Sequence, residues 1–283
     1  MAAPNIINGL SQIADRFDAV LCDAWGVIHN GVSLFPGVEE ALLNFRKTRG
    51  PAVILTNAPR PSAIIPAQLD RIGLSSEAYD AVVTSGDATR AAIEALSPGA
   101  AFRLGPDKDL SLYENLNVKF APVESADFIV CTGLVDDSRE TPADYAELLD
   151  IAFKRRMPMV CANPDIVVRW GDRLIYCAGA LAEVYEAMGG EVIFGGKPHA
   201  PIYDLAFARL EVASGRTLDR RRVLAIGDGV KTDIAGANRN GFPALFIAAE
   251  GGVHDGANDE ASINKALSRA SVMAEFAATE LKW

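Results

Sequence analysis

The stretch Asp18-Ala19-Val20-Leu21-Cys22-Asp23-Ala24-Trp25-Gly26-Val27-Ile28-His29-Asn30-Gly31 decides how this chain is read. Ala19 to Cys22 is a short apolar run without polar alternation, the pattern of a strand buried on both faces of a parallel sheet. Asp23 ends the run, and Gly26 follows it closely. A carboxylate at the carboxyl end of a central parallel strand sits where open α/β sheets bind ligands. A lone Asp after an apolar run more often caps a turn, so Asp23 needs support from the rest of the chain.

The 283 residues are enough for one large core or two moderate ones. Hydrophobic residues make up 49% and charged residues 23%, ordinary globular usage. The formal charge of −10 argues against nucleic-acid and anionic-membrane partners, and requires local positive charge wherever an anionic substrate binds. The first residues lack the basic and apolar regions of a signal peptide, and no run approaches the roughly 20 apolar residues of a membrane span. Cys22, Cys131, Cys161 and Cys177 are scattered, without a Cys-x-x-Cys. They read as reduced thiols of a cytoplasmic protein, and the histidines show no zinc-ligand spacing.

Outward from the central strand, 8–17 reads as an entry helix and 38–48 as a helix through Val38, Ala41, Leu42 and Phe45. Ala52-Val53-Ile54-Leu55 is a second buried strand ending in Thr56-Asn57, and Ala81-Val82-Val83 a third. Pro59-Arg60-Pro61 opens the helix between them, which runs through Leu69 and Ile72. This β-α-β-α-β order predicts a doubly wound parallel sheet of the α/β class. The middle suggests helices at 88–96, 142–155 and 178–188, with short strands at 101–104, 127–131 and 158–161. Later come strands at 192–194, 223–226 and 244–247, and helices at 201–213 and 258–279. The expected organisation is a core of residues 1–87 and 191–283 with a smaller α/β unit, 88–190, inserted in it.

Four buried strands end in polar groups: Asp23, Thr56-Asn57, Lys197, and Asp228 with Asp233. Parallel strands of one sheet bring their carboxyl ends to one edge, so these four groups are expected to converge there. The set suits phosphoryl transfer. A carboxylate acts as nucleophile, a divalent ion and an amine offset charge, and a hydroxyl donates to a phosphate oxygen.

The same segments resemble the haloacid dehalogenase (HAD) superfamily of hydrolases, whose core is Rossmann-like. Asp23-Ala24-Trp25-Gly26-Val27 is similar to its first motif and Leu55-Thr56-Asn57 to its second. Gly196-Lys197-Pro198 is similar to the third, and Gly227-Asp228-Gly229-Val230-Lys231-Thr232-Asp233 to the fourth. The insertion between the second and third motifs, with Asn163-Pro164-Asp165, resembles the α/β cap domain of the class IIA, NagD-like subgroup. The resemblance implies a Mg²⁺-dependent phosphatase acting on a small phosphorylated metabolite through an aspartyl-phosphate. Asp23 would be the nucleophile, with Thr56 and Lys197 beside it, and Thr56, Asn57, Lys197 and Trp25 would line the phosphate site. Asp23, Asp228, Asp233 and the backbone carbonyl of Trp25 would hold the metal. Oligomeric state is not legible, a homodimer being one option.

Trp25 departs from the pattern. The family has an Asp there that protonates the leaving group, and an indole N–H cannot shuttle a proton. Loss of a general acid costs roughly 10²–10⁴ in rate. Three readings stay open: a phosphatase with a substitute acid such as His29 or an undemanding leaving group, a slow phosphatase whose phospho-aspartate persists, or a phosphate-ligand binder with negligible turnover. Carbon–halogen cleavage fits poorly, since it would leave Asp228 and Asp233 idle.

Other residues carry weaker signals. Arg60 could reach an anionic substrate or be solvated, and Asn163 and Asp165 could touch substrate or form a turn. Cys22 reads as a packed thiol, His199 as a helix-start residue and His254 as an exposed loop residue. Asn30-Gly31 reads as a turn and Arg220-Arg221-Arg222 as a solvated face.

Overall fold

Strand Ala19–Cys22 is buried along its whole length because it is an interior strand of a seven-stranded, all-parallel sheet. In spatial order the strands are Asn5–Ile6, Phe276–Ala278, Ala244–Ile247, Val223–Gly227, Ala19–Cys22, Ala52–Thr56 and Ala81–Thr84. Chain order reverses at Ala19–Cys22: 52–56 lies on one side and 223–227 on the other. That is the switch point at which open α/β sheets bind ligands. The computed structural model describes residues 3–171, 173–249 and 259–283, so His254 lies outside the described residues.

Helices cover both faces of this sheet. Val38–Thr48 and Ile65–Ile72 bury Val38, Leu42, Phe45 and Leu69 against one face, together with Val20 and Cys22. Ala200–Ser214, Ala235–Asn240 and Glu260–Ala270 bury Ile202, Leu210, Ala237 and Ile263 against the other, with Ala19 and Leu21. Neighbouring strand residues thus feed opposite cores, which is why the run shows no polar alternation.

A second, five-stranded parallel sheet has the order Val192–Phe194, Met159–Cys161, Phe128–Cys131, Ala100–Leu104, Lys119–Phe120. Ala146–Lys154 and Ala178–Ala187 pack on one face and bury Leu149, Leu181 and Tyr185. Ser85–Ala95 starts on the larger core through Ala88 and ends on the second sheet through Ile93. Thr84 caps this helix in a reciprocal pair with Asp87, so it begins directly at the strand end. An antiparallel pair, Val167–Trp170 and Arg173–Tyr176, stands apart from both sheets. None of the described helices is long and apolar enough to cross a membrane.

Several expectations need correction. Val192–Phe194, expected to open the second core segment at 191–283, pairs with Met159–Cys161 in the smaller sheet. The smaller unit therefore extends past 190. The entry helix over 8–17 is two short 3-10 turns, Leu10–Gln12 and Ala14–Arg16. The helix expected over 258–279 covers only Glu260–Ala270. Ser271 ends it in a left-handed conformation, and Phe276–Ala278 pairs with Leu245–Ile247 instead.

Candidate active site

Asp23 follows the last residue of its strand, its N–H donating to the Ile226 carbonyl at 2.9 Å, so the neighbouring strand fixes where its carboxylate emerges. Asp228 follows Val223–Gly227, and Asp233 lies in the single helical turn Val230–Ile234. The Gly229 N–H donates to Asp233 Oδ2 at 3.1 Å and anchors that carboxylate. Carboxylate oxygens of Asp23, Asp228 and Asp233 lie within 4.8 Å of one another, all three residues buried.

Lys197 is 2% exposed. Its Nζ donates to Asp23 Oδ1 at 2.5 Å and to Asp233 Oδ1 at 2.7 Å. Burial works against its charge, but Asp23 and Asp233 more than offset this and keep the ammonium charged well above the ordinary lysine range. One cation thus faces three carboxylates. Burial pushes the Asp23 carboxyl well up, with Asp233 adding and Lys197 opposing. Burial and then Asp233 raise Asp228 to about 8. Asp228 Oδ2 has no hydrogen-bond partner although it is buried. An orphaned carboxylate oxygen beside two other carboxylates is a donor set suited to a hard divalent cation such as Mg²⁺. Gly26 makes room for it: at φ +89° it adopts a conformation that L side chains rarely take, and a Cβ there would come within 2.1 Å of Asp228 Oδ2.

Thr56 and Asn57 close the strand end next to Asp23. Thr56 Oγ1 accepts from the Ala58 N–H at 3.3 Å. Asn57 is a crossing point: its Oδ1 accepts from the Lys197 N–H at 2.8 Å, and its Nδ2 donates to Asp165 Oδ1 at 2.9 Å. Gly196 lets the Lys197 loop approach, since a Cβ there would lie 2.6 Å from Asn57 Oδ1.

All the residues expected at the site gather here, but the Trp25 side chain turns outward from the carboxylates. Its Nε1 donates to the Arg169 carbonyl at 2.8 Å, and its ring meets His29 at 5.0 Å and Trp170 at 6.3 Å. Beside it the Gly171 N–H donates to the Asn30 carbonyl at 3.2 Å. The antiparallel pair of Val167–Trp170 and Arg173–Tyr176 is therefore docked, through Arg169, Trp170 and Gly171, on the loop after Asp23. Between the two units lies a cleft of about 470 Å³, lined by Trp25, Thr56, Arg60, Asp109, Asp165 and Trp170 among others.

His29 lines this cleft, yet burial lowers its pKa to about 4. Its Nδ1 accepts from the Gly31 N–H at 3.0 Å, so at neutral pH it is an uncharged imidazole protonated at Nε2. An imidazole in that state is a poor proton donor. Arg60 also lines the cleft, with Nε 3.5 Å from Asp109 Oδ1 of the smaller unit. His199 stacks on Phe194 instead of joining the site, and Cys22 is buried with its thiol pKa pushed well up by that burial. All four cysteines are free and buried. Arg220 and Arg222 form ion pairs with Asp204 and Asp18.

The hairpin was missed by the sequence reading. Its signal was present: β-formers Val167-Val168-Arg169-Trp170 and Arg173-Leu174-Ile175-Tyr176 flank a two-residue Gly171-Asp172. The Asp109 and Lys108 contribution to the cleft had no such signal.

Comparison with known proteins points to one family. A family model described as haloacid dehalogenase-like hydrolase matches residues 20–119, and a HAD-hydrolase-like model matches 194–274. A haloacid dehalogenase-like family hydrolase from Brucella suis is 42% identical with a TM-score of 0.89, over 98% of this chain and 100% of that one. A possible sugar phosphatase from Cytophaga hutchinsonii is 21% identical with a TM-score of 0.79, over 98% of both chains. D-glycerol 3-phosphate phosphatase from Mycobacterium tuberculosis is 28% identical over 243 residues. That match takes in 84% of this chain but spans only 65% of the length of the curated relative.

Proposed function

The chain belongs to the haloacid dehalogenase-like hydrolases, and from that premise we propose that it is a Mg²⁺-dependent phosphatase of small phosphorylated metabolites. The observation that carries this reading is the cluster itself: the buried Lys197 ammonium between Asp23 and Asp233, with the orphaned Asp228 oxygen beside them. In this reading Asp23 attacks phosphorus and becomes an aspartyl-phosphate, which water then hydrolyses. Lys197, the Thr56 hydroxyl and Asn57 hold the transferring phosphoryl oxygens, while Lys197 also lowers the repulsion between Asp23 and the incoming dianion. Asp23, Asp228, Asp233 and the Trp25 carbonyl would hold Mg²⁺, which when bound neutralises charge on the phosphoryl group. The name of the related D-glycerol 3-phosphate phosphatase supports the reaction class, and the cleft of about 470 Å³, which Trp25 and Trp170 line together with Arg60 and Asp109, supports a small leaving group.

Trp25 favours a second reading, a phosphate-ligand binder with little turnover, because the indole cannot exchange a proton. One assay separates the two. Turnover of p-nitrophenyl phosphate that needs Mg²⁺ and is lost in Asp23→Asn supports the enzyme. No turnover, with saturable stabilisation by a phosphorylated metabolite, supports the binder.

A further inference from the structure

We propose that Asp165, reaching the cleft from the smaller unit, protonates the leaving group in the place that Trp25 cannot fill; this rests on the phosphatase reading above. Asp165 lines the cleft together with Trp25, Thr56 and Asn163. Its Oδ1 accepts from Asn57 Nδ2 at 2.9 Å, and the same Asn57 holds the Lys197 backbone at 2.8 Å. Two hydrogen bonds thus tie this carboxyl to the residue whose ammonium sits on Asp23.

The loop that carries Asp165 is fixed. Its N–H donates to Asn163 Oδ1 at 3.1 Å, and the Gly179 N–H donates to the Asn163 and Asp165 carbonyls at 2.8 and 3.1 Å. A Cβ on Gly179 would lie 2.3 Å from the Pro164 carbonyl oxygen, so the helix Ala178–Ala187 abuts the turn. A proton donor must be held in place in this way to be effective.

The other carboxyl groups of the cleft are committed elsewhere. Asp109 faces Arg60, and Asp137 is paired with Lys108. Among the described residues no cation lies within ion-pair range of Asp165; its hydrogen-bond donor is a neutral amide. The charged and titratable groups around it are Lys197, Asp228 and Asp233 of the larger unit and the Cys161 and Cys177 thiols of the smaller. Burial raises the Asp165 pKa, with Lys197 and Asn57 opposing and Asp233 adding, so the proton is held further up the pH scale than on a free Asp.

The proton count closes. An Asp23 oxygen bonds to phosphorus as the bond from phosphorus to the leaving oxygen breaks. The Asp165 proton passes to that oxygen, which departs as the alcohol and leaves Asp165 a carboxylate. Water then adds to phosphorus of phospho-Asp23, the bond to the Asp23 oxygen breaks, and the water's proton returns to Asp165 as phosphate forms.

The test compares kcat/KM for phenyl phosphate and p-nitrophenyl phosphate, which are alike in shape but differ in how much protonation the leaving oxygen needs. Asp165→Asn keeps an oxygen for Asn57, and Asp165→Ala removes it. Both variants are expected to lose about 10²-fold on phenyl phosphate, the lower end for loss of a general acid, and far less on p-nitrophenyl phosphate. Equal loss on the two substrates, or no loss on either, overturns the assignment. Wild-type turnover of p-nitrophenyl phosphate alone also overturns it and leaves the phosphatase reading standing. Wild-type inactivity on both defeats the phosphatase reading and this one with it.

Discussion

Lys197 Nζ lies 2.5 Å from Asp23 Oδ1, although the strands that precede the two residues belong to different sheets. Val192–Phe194 ends in the smaller sheet, and Gly195 and Gly196 carry the chain back against Asn57 and Ser85 to deliver the lysine. The ion pair is therefore also a fastening between the two units.

That fastening has a measurable strength. Removing one partner of a buried ion pair costs about 3–5 kcal/mol, because the charge left behind is uncompensated. Lys197→Met is expected to lower unfolding stability by this order in metal-free buffer. Mg²⁺ should restore part of the loss, since it would neutralise the same carboxylates. Urea titrations with and without Mg²⁺ read both effects, and an unchanged midpoint in metal-free buffer would mean the ammonium is not what balances the cluster.

Trp25 has a structural task that the family's Asp would not perform. Its indole N–H holds the Arg169 carbonyl, and its ring packs over Gly31, where a Cβ would lie 2.5 Å from the indole. Trp25→Phe keeps a ring and removes the hydrogen bond, worth about 1 kcal/mol. Amide hydrogen exchange in 167–176 should rise about fivefold, the equivalent of that energy. Exchange at the wild-type rate would show that the Gly171–Asn30 hydrogen bond and ring packing hold the hairpin unaided.

His29 sets a pH dependence. Burial lowers its pKa from 6.5 to about 4, so between these values the unfolded chain binds a proton that the folded chain refuses. Stability is fully present above pH 6.5 and falls as pH drops toward 4, by about 3 kcal/mol from this group. His29→Asn keeps an acceptor for the Gly31 N–H and does not titrate. Urea unfolding at pH 7 and pH 4 should show a smaller acid loss in the variant, by about that amount. Equal losses in the two proteins would mean the imidazole is solvated.

Much of the site was legible because its motifs sit at strand ends, where a change from apolar run to polar residue marks the place. Asp23, Asp228 and the Thr56-Asn57 pair needed only that change and a parallel sheet. The sheet membership of Val192–Phe194 was not legible: three apolar residues reveal burial but not which neighbour they pair with. The same limit hid the strand Phe276–Ala278, whose Phe-Ala-Ala suits a helix locally and is drawn into the sheet by its register with Leu245–Ile247. Asp165 was legible as a turn, but its bond to Asn57 joins positions far apart in sequence, and no local pattern encodes it.

The most direct test of the account is chemical trapping of the covalent intermediate. Borohydride reduces an acyl-phosphate to an alcohol, so enzyme quenched during p-nitrophenyl phosphate turnover with Mg²⁺ should carry homoserine at position 23, found by peptide mass spectrometry. This product should need both substrate and Mg²⁺ and should be absent from Asp23→Asn. Turnover that leaves Asp23 unmodified, or that places the reduced residue at another carboxylate, would contradict it.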